Sequence, residues 1–301
     1  LSFTDKIVMN WQDLTITGYS TALFSTWFFV EELGLLFDAG EGITTTLLQK
    51  SRKIKQVFVS HADRDHLMGL FQLNQLNARS GFPIVHYPAN CGSFPAIAQF
   101  VKKFDPHVQG TIWKPIIADE KITIAKDLYV QSIRNNHVQA APGVHKSLSY
   151  KVVKTKRKLK PAFANLDPTT LKSVIKKNGR AFISTEIATT ILGFSGDTPV
   201  EDYERWDQTK VLIHEATFLE AVKDSKRNRN KHSTLEEVFE MVANINLEVL
   251  ILSHFSSRYS AAEIDAKICS LSKKYQLKIP IYRILPGISS VNVLKSSPIN
   301  S

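Results

Sequence analysis

Cysteine is scarce in this 301-residue chain: Cys91 and Cys269 stand far apart and outside any paired motif. That excludes a disulfide-stapled scaffold and a Cys-based zinc module, and it fits a reducing compartment in which both thiols pack as small apolar groups. A cytoplasmic protein is the expectation. Long apolar runs are missing too. The longest, from Ala22 to Val30, is broken by Ser25 and Thr26 and stops at Glu31 and Glu32, well short of the roughly 20 residues that span a bilayer. No membrane partner is expected, and no targeting peptide is evident, although the first residue is Leu1 and not Met. The patterns G-x-S-x-G, G-x-x-x-x-G-K-[ST], G-x-G-x-x-G and C-x-x-C do not occur, which sets aside the nucleophile-elbow, P-loop, dinucleotide-binding and thioredoxin-like classes. With no low-complexity stretch or polar linker, and 43% hydrophobic residues, residues 1–301 read as one domain with a sizeable core.

Positive charge is abundant and unevenly placed. The formal charge is +10, and between residues 145 and 180 eleven Lys or Arg face a single acid, Asp167. That segment carries the whole excess. A charge run alone reads equally well as a solvated face. This one flanks candidate metal ligands, and residues 226–231 add a second basic loop, so a polyanionic substrate is the better reading.

Period-two runs predict strands at 14–17, 23–30, 35–37, 54–60, 112–117, 128–133, 149–154, 181–184, 190–194, 211–213, 249–252 and 281–284. Helical spacing predicts 43–49, 66–77, 93–103, 235–244 and 261–275. Many strands and few helices in one core point to the α/β class, as two packed sheets with helices outside.

The densest chemistry lies at residues 57–66, where an apolar strand ends in His61, Asp63, Asp65 and His66. Imidazole nitrogen and carboxylate oxygen together suit divalent metals. The blander reading, Asp65 as a helix cap with His66 incidental, leaves the other two groups unexplained. The same arrangement, an apolar strand ending in a ligand, recurs at His137, Asp197, His254 and the pair His214-Glu215.

Read in order, Phe37 to Gly42, His61 to His66, His137, Phe194 to Thr198, His214 to Thr217, His232-Ser233-Thr234 and Ser253 to Tyr259 resemble ribonuclease Z, the tRNA 3′-processing branch of the metallo-β-lactamase superfamily. The resemblance implies an αββα sandwich, often a homodimer, with two divalent ions at one edge. His61, Asp63, His137 and Asp197 would hold one, and Asp65, His66, Asp197 and His254 the other. Asp65 would orient or deprotonate the nucleophile, and His214, held by Glu215, would protonate the leaving oxygen. His232, Ser256 and Arg258 would bind substrate phosphate, and Lys156, Arg157 and Lys158 belong to a reduced basic arm over 151–180. Zinc is the metal the resemblance implies, but Asp63 stands where the family has His, and a carboxylate there favours Mn²⁺ or Fe²⁺. The family's N-terminal Gly-rich and Pro/Arg/Asn loop and the Gly-Pro tip of its arm are also missing. The expected function is a metal-dependent phosphodiester hydrolase acting on tRNA precursors. A phosphodiesterase for small cyclic-nucleotide-type substrates and a non-catalytic RNA-binding homologue are the alternatives.

Overall fold

The structure is a computed structural model and describes residues 10–220 and 231–300. Two sheets lie face to face. The first takes β1 (Ile16–Thr21), β2 (Ser25–Val30), β3 (Leu35–Phe37), β4 (Gln56–Phe58), β5 (Ile84–Pro88) and β6 (Ile112–Ile116), paired in that order. The second takes β7 (Lys121–Ala125), β8 (Leu128–Arg134), β9 (Leu148–Leu159), β10 (Ser184–Phe194), β11 (Thr209–Glu215), β12 (Leu247–Ser253) and β13 (Ile281–Arg283), again neighbour to neighbour.

Alternation along the strands builds three apolar layers from two sheets. Phe28 and Val30 of β2 point between the sheets, where they meet Tyr150, Leu192, Phe194, Val211 and Ile213. Their neighbours Trp27 and Phe29 point outward, against α2 (Leu70–Asn77) and α3 (Ser93–Phe104). On the far side Leu212, Leu250 and Leu252 receive Val238 and Phe239 of α6 (Leu235–Ala243) and Ile264 and Ile268 of α7 (Ala261–Lys274). The result is the expected αββα sandwich. Each large side chain so buried contributes roughly 1.5–3 kcal/mol.

Strand direction gathers the site. β10, β11, β12 and β13 are parallel. β8 runs the same way as β10, because both are antiparallel to β9. The carboxyl ends of β8, β10, β11 and β12 therefore open on one edge, and a hydrogen bond from Leu148 N to Ser60 O (2.8 Å) ties the loop after β4 to that edge.

β9 and β10 are longer than the sheet needs. Their inner halves are buried, whereas Lys156 to Leu159 and Thr185 to Ala188 are exposed, still paired from Lys154–Thr189 out to Leu159–Ser184. Between them sit α4 (Pro168–Asn178) and the single turn α5 (Arg180–Ile183). Asp167 caps α4 by accepting from Thr169 N and Thr170 N, with Pro168 at the first turn, and no residue of α4 is buried. The basic stretch is thus a projecting hairpin with a helical tip.

Some expectations move. Of residues 181–184, expected as a strand, the first three belong to α5 and only Ser184 opens β10. The helix expected from 66 starts at Leu70: Arg64 to His66 form a 3-10 turn, and Leu67 (φ −138°, ψ −17°) leaves the helical region before the helix begins. β5, β7 and α4 were not expected. α1 (Ile43–Leu47) closes in 3-10 turns.

Candidate metal centre

Every candidate ligand lies in a loop or turn that follows a strand. His61, Asp63, Asp65 and His66 follow β4, His137 follows β8, Asp197 follows β10 and His254 follows β12. His61, His66, His137, Asp197 and His254 are buried and Asp65 is half-buried, while Asp63 faces outward. His254 adopts a left-handed backbone (φ 61°) directly after β12, a conformation a non-glycine residue keeps only where its surroundings hold it.

Asp197 lies at the centre. Its Oδ2 is 3.3 Å from His66 Nε2, 3.3 Å from His254 Nε2 and 3.8 Å from His61 Nε2. Asp63 Oδ2 lies 3.6 Å from His61 Nε2 and 3.8 Å from His137 Nε2 on one side. Asp65 Oδ2 lies 3.5 Å from His66 Nε2 and 3.7 Å from His254 Nε2 on the other. These spacings are too wide for good hydrogen bonds, but two ligands each ~2.1 Å from a tetrahedral ion stand about 3.4 Å apart. Moreover, the Nε2 atoms of His61, His66 and His254 are buried with no hydrogen-bond partner. Three orphaned imidazole nitrogens converging on carboxylates are what a metal would satisfy, so the residues present fit divalent ions.

The far side of each imidazole is fixed. Asp38 Oδ2 lies 2.7 Å from His66 Nδ1, and Asp38 itself accepts from Ser60 N and Ser60 Oγ. Ser60 Oγ also lies 2.9 Å from His61 Nδ1. His137 Nδ1 donates to the Lys231 carbonyl (2.7 Å), and His254 Nδ1 to Thr217 Oγ1 (2.9 Å), whose own proton goes to Glu215 Oε2. Such contacts set the tautomer and leave Nε2 as the ligand atom. Neither Asp38 nor Thr217 was among the residues expected from sequence. The signal for Asp38 was present, because it too ends an apolar strand.

Charge is concentrated here. Burial pushes the Asp197 carboxyl up, but His254 and His66 outweigh it and hold it well below the usual range. The imidazoles of His137 and His61 hold Asp63 down, and those of His254 and His66 do the same to Asp65 against its burial. All three are carboxylates at neutral pH, the form that binds a cation.

The sequence pattern of the beta-lactamase superfamily domain matches residues 34–255. A ribonuclease Z of Methanocaldococcus jannaschii is 30% identical over 260 residues, covering 76% of this chain and 78% of the relative. The chain belongs to the ribonuclease Z branch of the beta-lactamase superfamily. A chloroplastic tRNase Z of Arabidopsis thaliana is 27% identical over 288 residues, 89% of this chain and 75% of that one. Among solved structures, the short form of human tRNase Z shares the fold with a TM-score of 0.59 at 18% identity, covering 92% of this chain and 99% of that one.

Within the site, one contact expected from the ribonuclease Z resemblance is made by another residue. His214 is not held by the Glu215 side chain: its Nδ1 donates to the Glu215 carbonyl (2.7 Å), and the ring is buried against Trp206. Burial lowers its pKa to about 4, so it is neutral at pH 7 and has no proton to give as an imidazolium. The Glu215 carboxylate instead reaches His232, with Oε1 3.0 Å from Nδ1, and it accepts further from Thr198 N and Thr217 N. His232 Nδ1 lies 3.9 Å from Asp197 Oδ2, and its side chain is 18% exposed. Burial works against its charge, but Glu215 outweighs it and raises the pKa to about 9.

Of the other expected substrate contacts, Arg258 is exposed, its Nε donates to Ser256 Oγ (3.0 Å), and its guanidinium lies over Phe218 and Tyr259. Ser256 is itself tied through its backbone to Thr217 O. Lys156, Arg157 and Lys158 are exposed on the projecting hairpin and are not part of the metal cluster. Of the second basic loop, residues 226–230 lie outside the described residues, and Lys231 contributes the carbonyl that holds His137.

Proposed function

We propose that this chain is a metal-dependent endonuclease that cuts tRNA precursors on the 3′ side of the mature molecule and leaves a 3′-hydroxyl. One observation carries the reading: an acid pair, His232 and Glu215, stands beside a cluster of ionised carboxylates and orphaned imidazoles fit for divalent ions. His61, Asp63 and His137 would hold one ion, Asp65, His66 and His254 the other, with Asp197 shared. Such ions would lower the pKa of water and neutralise charge on a phosphodiester, and zinc, manganese or iron would serve.

The chain's own groups do the rest. Asp65, ionised and open on one side, is placed to orient the attacking water and take its proton. His232 is protonated at neutral pH because Glu215 holds its Nδ1 proton, which leaves its Nε2 proton for the departing oxygen. The projecting basic hairpin supports a long polyanion over a single small phosphodiester, because only a multi-phosphate footprint uses charge so far from the cluster. We extend the proposal to a cytoplasmic location, in keeping with the free thiols of Cys91 and Cys269, and to the homodimer that the family resemblance implies. Among the described residues no helix is long and apolar enough to cross a membrane.

The test is cleavage of a 3′-extended tRNA precursor by the purified protein with Mn²⁺, Zn²⁺ or Fe²⁺ supplied in parallel. One discrete cut near the acceptor end with a 3′-hydroxyl, lost in Asp65→Ala, is expected. Cleavage of cyclic nucleotides without cleavage of the precursor would overturn the RNA reading.

A further inference from the structure

The turn joining β1 to β2, whose backbone reaches the cluster of candidate metal ligands, carries two bare apolar side chains. Leu23 is 88% exposed and Phe24 63% exposed, a pairing that folding alone gives no reason to keep. The backbone beneath them is pinned on every side to the loops that carry the ligands. Leu23 N donates to Asp65 Oδ2 (3.1 Å), the same oxygen that faces His66 and His254. Ala22 N donates to the carbonyl of Phe255, next after His254, while Thr21 Oγ1 accepts from Gly287 N. Across the hairpin, Ser20 Oγ accepts from His254 N (2.9 Å). Leu23 is also held at φ 71°, a left-handed backbone that leucine rarely adopts and that aims its N–H at Asp65.

From these contacts we infer that the Leu23-Phe24 turn is a platform for an unpaired nucleobase of the nucleotide flanking the phosphodiester at the metal cluster. The inference rests on the RNA-cleaving reading above and adds the part of the substrate that the turn meets. A phosphodiester near Asp65 carries its sugar and base within one nucleotide's length of the cluster. A bare phenyl ring on that turn can stack on a base face, whichever base it is, and stacking of this kind tolerates sequence. Leu23 widens the platform, and its amide couples the platform's position to Asp65. A base so held fixes the phosphate next to it, so the platform acts on positioning for cleavage as well as on affinity.

The test is a cycle between the turn and the base. Precursors are prepared with an abasic nucleotide on either side of the scissile bond, and cleavage by the wild-type protein is compared with cleavage by Phe24→Ser, Leu23→Asn and Phe24→Trp. Asn suits the left-handed position and keeps the amide. In the wild type, removing the contacted base lowers kcat/KM about tenfold, as does Phe24→Ser. In Phe24→Ser the same abasic substitution costs less than about twofold, because the partner is already gone, and Phe24→Trp keeps the wild-type dependence. If the two losses multiply in full at both abasic positions, or if Phe24→Trp fails as Phe24→Ser does, the platform is refuted while the endonuclease reading stands. No cleavage of the intact precursor by the wild type would refute both together.

Discussion

Glu215 Oε1 accepts from His232 Nδ1 across 3.0 Å, while its sequence neighbour His214 turns to the backbone of the same residue. Successive residues of a strand point to opposite faces, so His214 and Glu215 cannot both face the cluster as a pair. Glu215 faces the cluster, and the partner it finds arrives from 17 residues further along the chain.

The first prediction follows from that geometry. His232→Ala and Glu215→Gln each lower kcat by about 10²–10⁴, the range for loss of a positioned general acid, with a smaller change in KM. A precursor with a better leaving group at the scissile bond, such as a 3′-bridging phosphorothiolate, restores much of the rate in His232→Ala. His214→Asn acts mainly on stability, read by urea unfolding. Equal loss of kcat in His214→Asn and His232→Ala, with no rescue, would return the acid role to His214.

A second prediction concerns Asp38, which touches no metal-ligand position directly except through His66 Nδ1. Asp38→Asn keeps the size of the side chain but removes the charge that orients His66, and it weakens metal affinity about 10–100-fold. Competition with a chromophoric chelator measures this on the folded protein. Unchanged affinity would show that the packing around the buried His66 suffices to hold the ring.

The basic hairpin supplies a third. Replacing Lys156, Arg157 and Lys158 with Ala together reduces the slope of log affinity against log salt for precursor tRNA by up to about 3 units, near one for each phosphate no longer neutralised. Hydrolysis of a small chromogenic phosphodiester stays at the wild-type rate. An unaltered slope would place the RNA footprint elsewhere on the surface.

The fourth is a pH dependence of stability at a residue away from the cluster. His86 is buried, stacks on Phe58 with ring centroids 4.5 Å apart, and pairs with Gln56. Burial, and then Lys114, lowers its pKa from 6.5 to about 4. Above pH 6.5 the ring is neutral in both the folded and the unfolded chain, and it contributes no pH dependence. As the pH falls from 6.5 towards 4 the unfolded chain takes the proton and the folded one does not, so stability declines by about 3 kcal/mol over that window. Urea unfolding of chelator-treated protein at pH 7.5 and pH 4.5 should show a smaller loss in His86→Gln than in the wild type. Equal losses would contradict the assignment.

The convergence of the candidate ligands was legible in the sequence because each group of them follows an apolar strand, and strands running the same way bring such ends together. His61, Asp63, Asp65, His66, His137, Asp197 and His254 converge for that reason. What the sequence did not disclose was pairing across distance. Glu215 beside His214 invited a local pair, whereas the pleat separates them and the fold supplies His232. Asp38 and Thr217 act from behind the ligands, through hydrogen bonds that need three-dimensional placement to be seen. The length of β9 was hidden for a different reason: its outer half is a solvated hairpin with no apolar alternation, so only its inner half announced itself.

Whether this cluster is the centre of the reaction is decided by metal content and precursor cleavage followed on the same sample, before chelation, after chelation, and after Mn²⁺ or Zn²⁺ is returned. The expected result is about two equivalents of metal per chain, loss of both metal and cleavage on chelation, and recovery of both together, with Asp197→Ala unable to recover either. Cleavage that persists in the fully chelated protein would contradict the assignment.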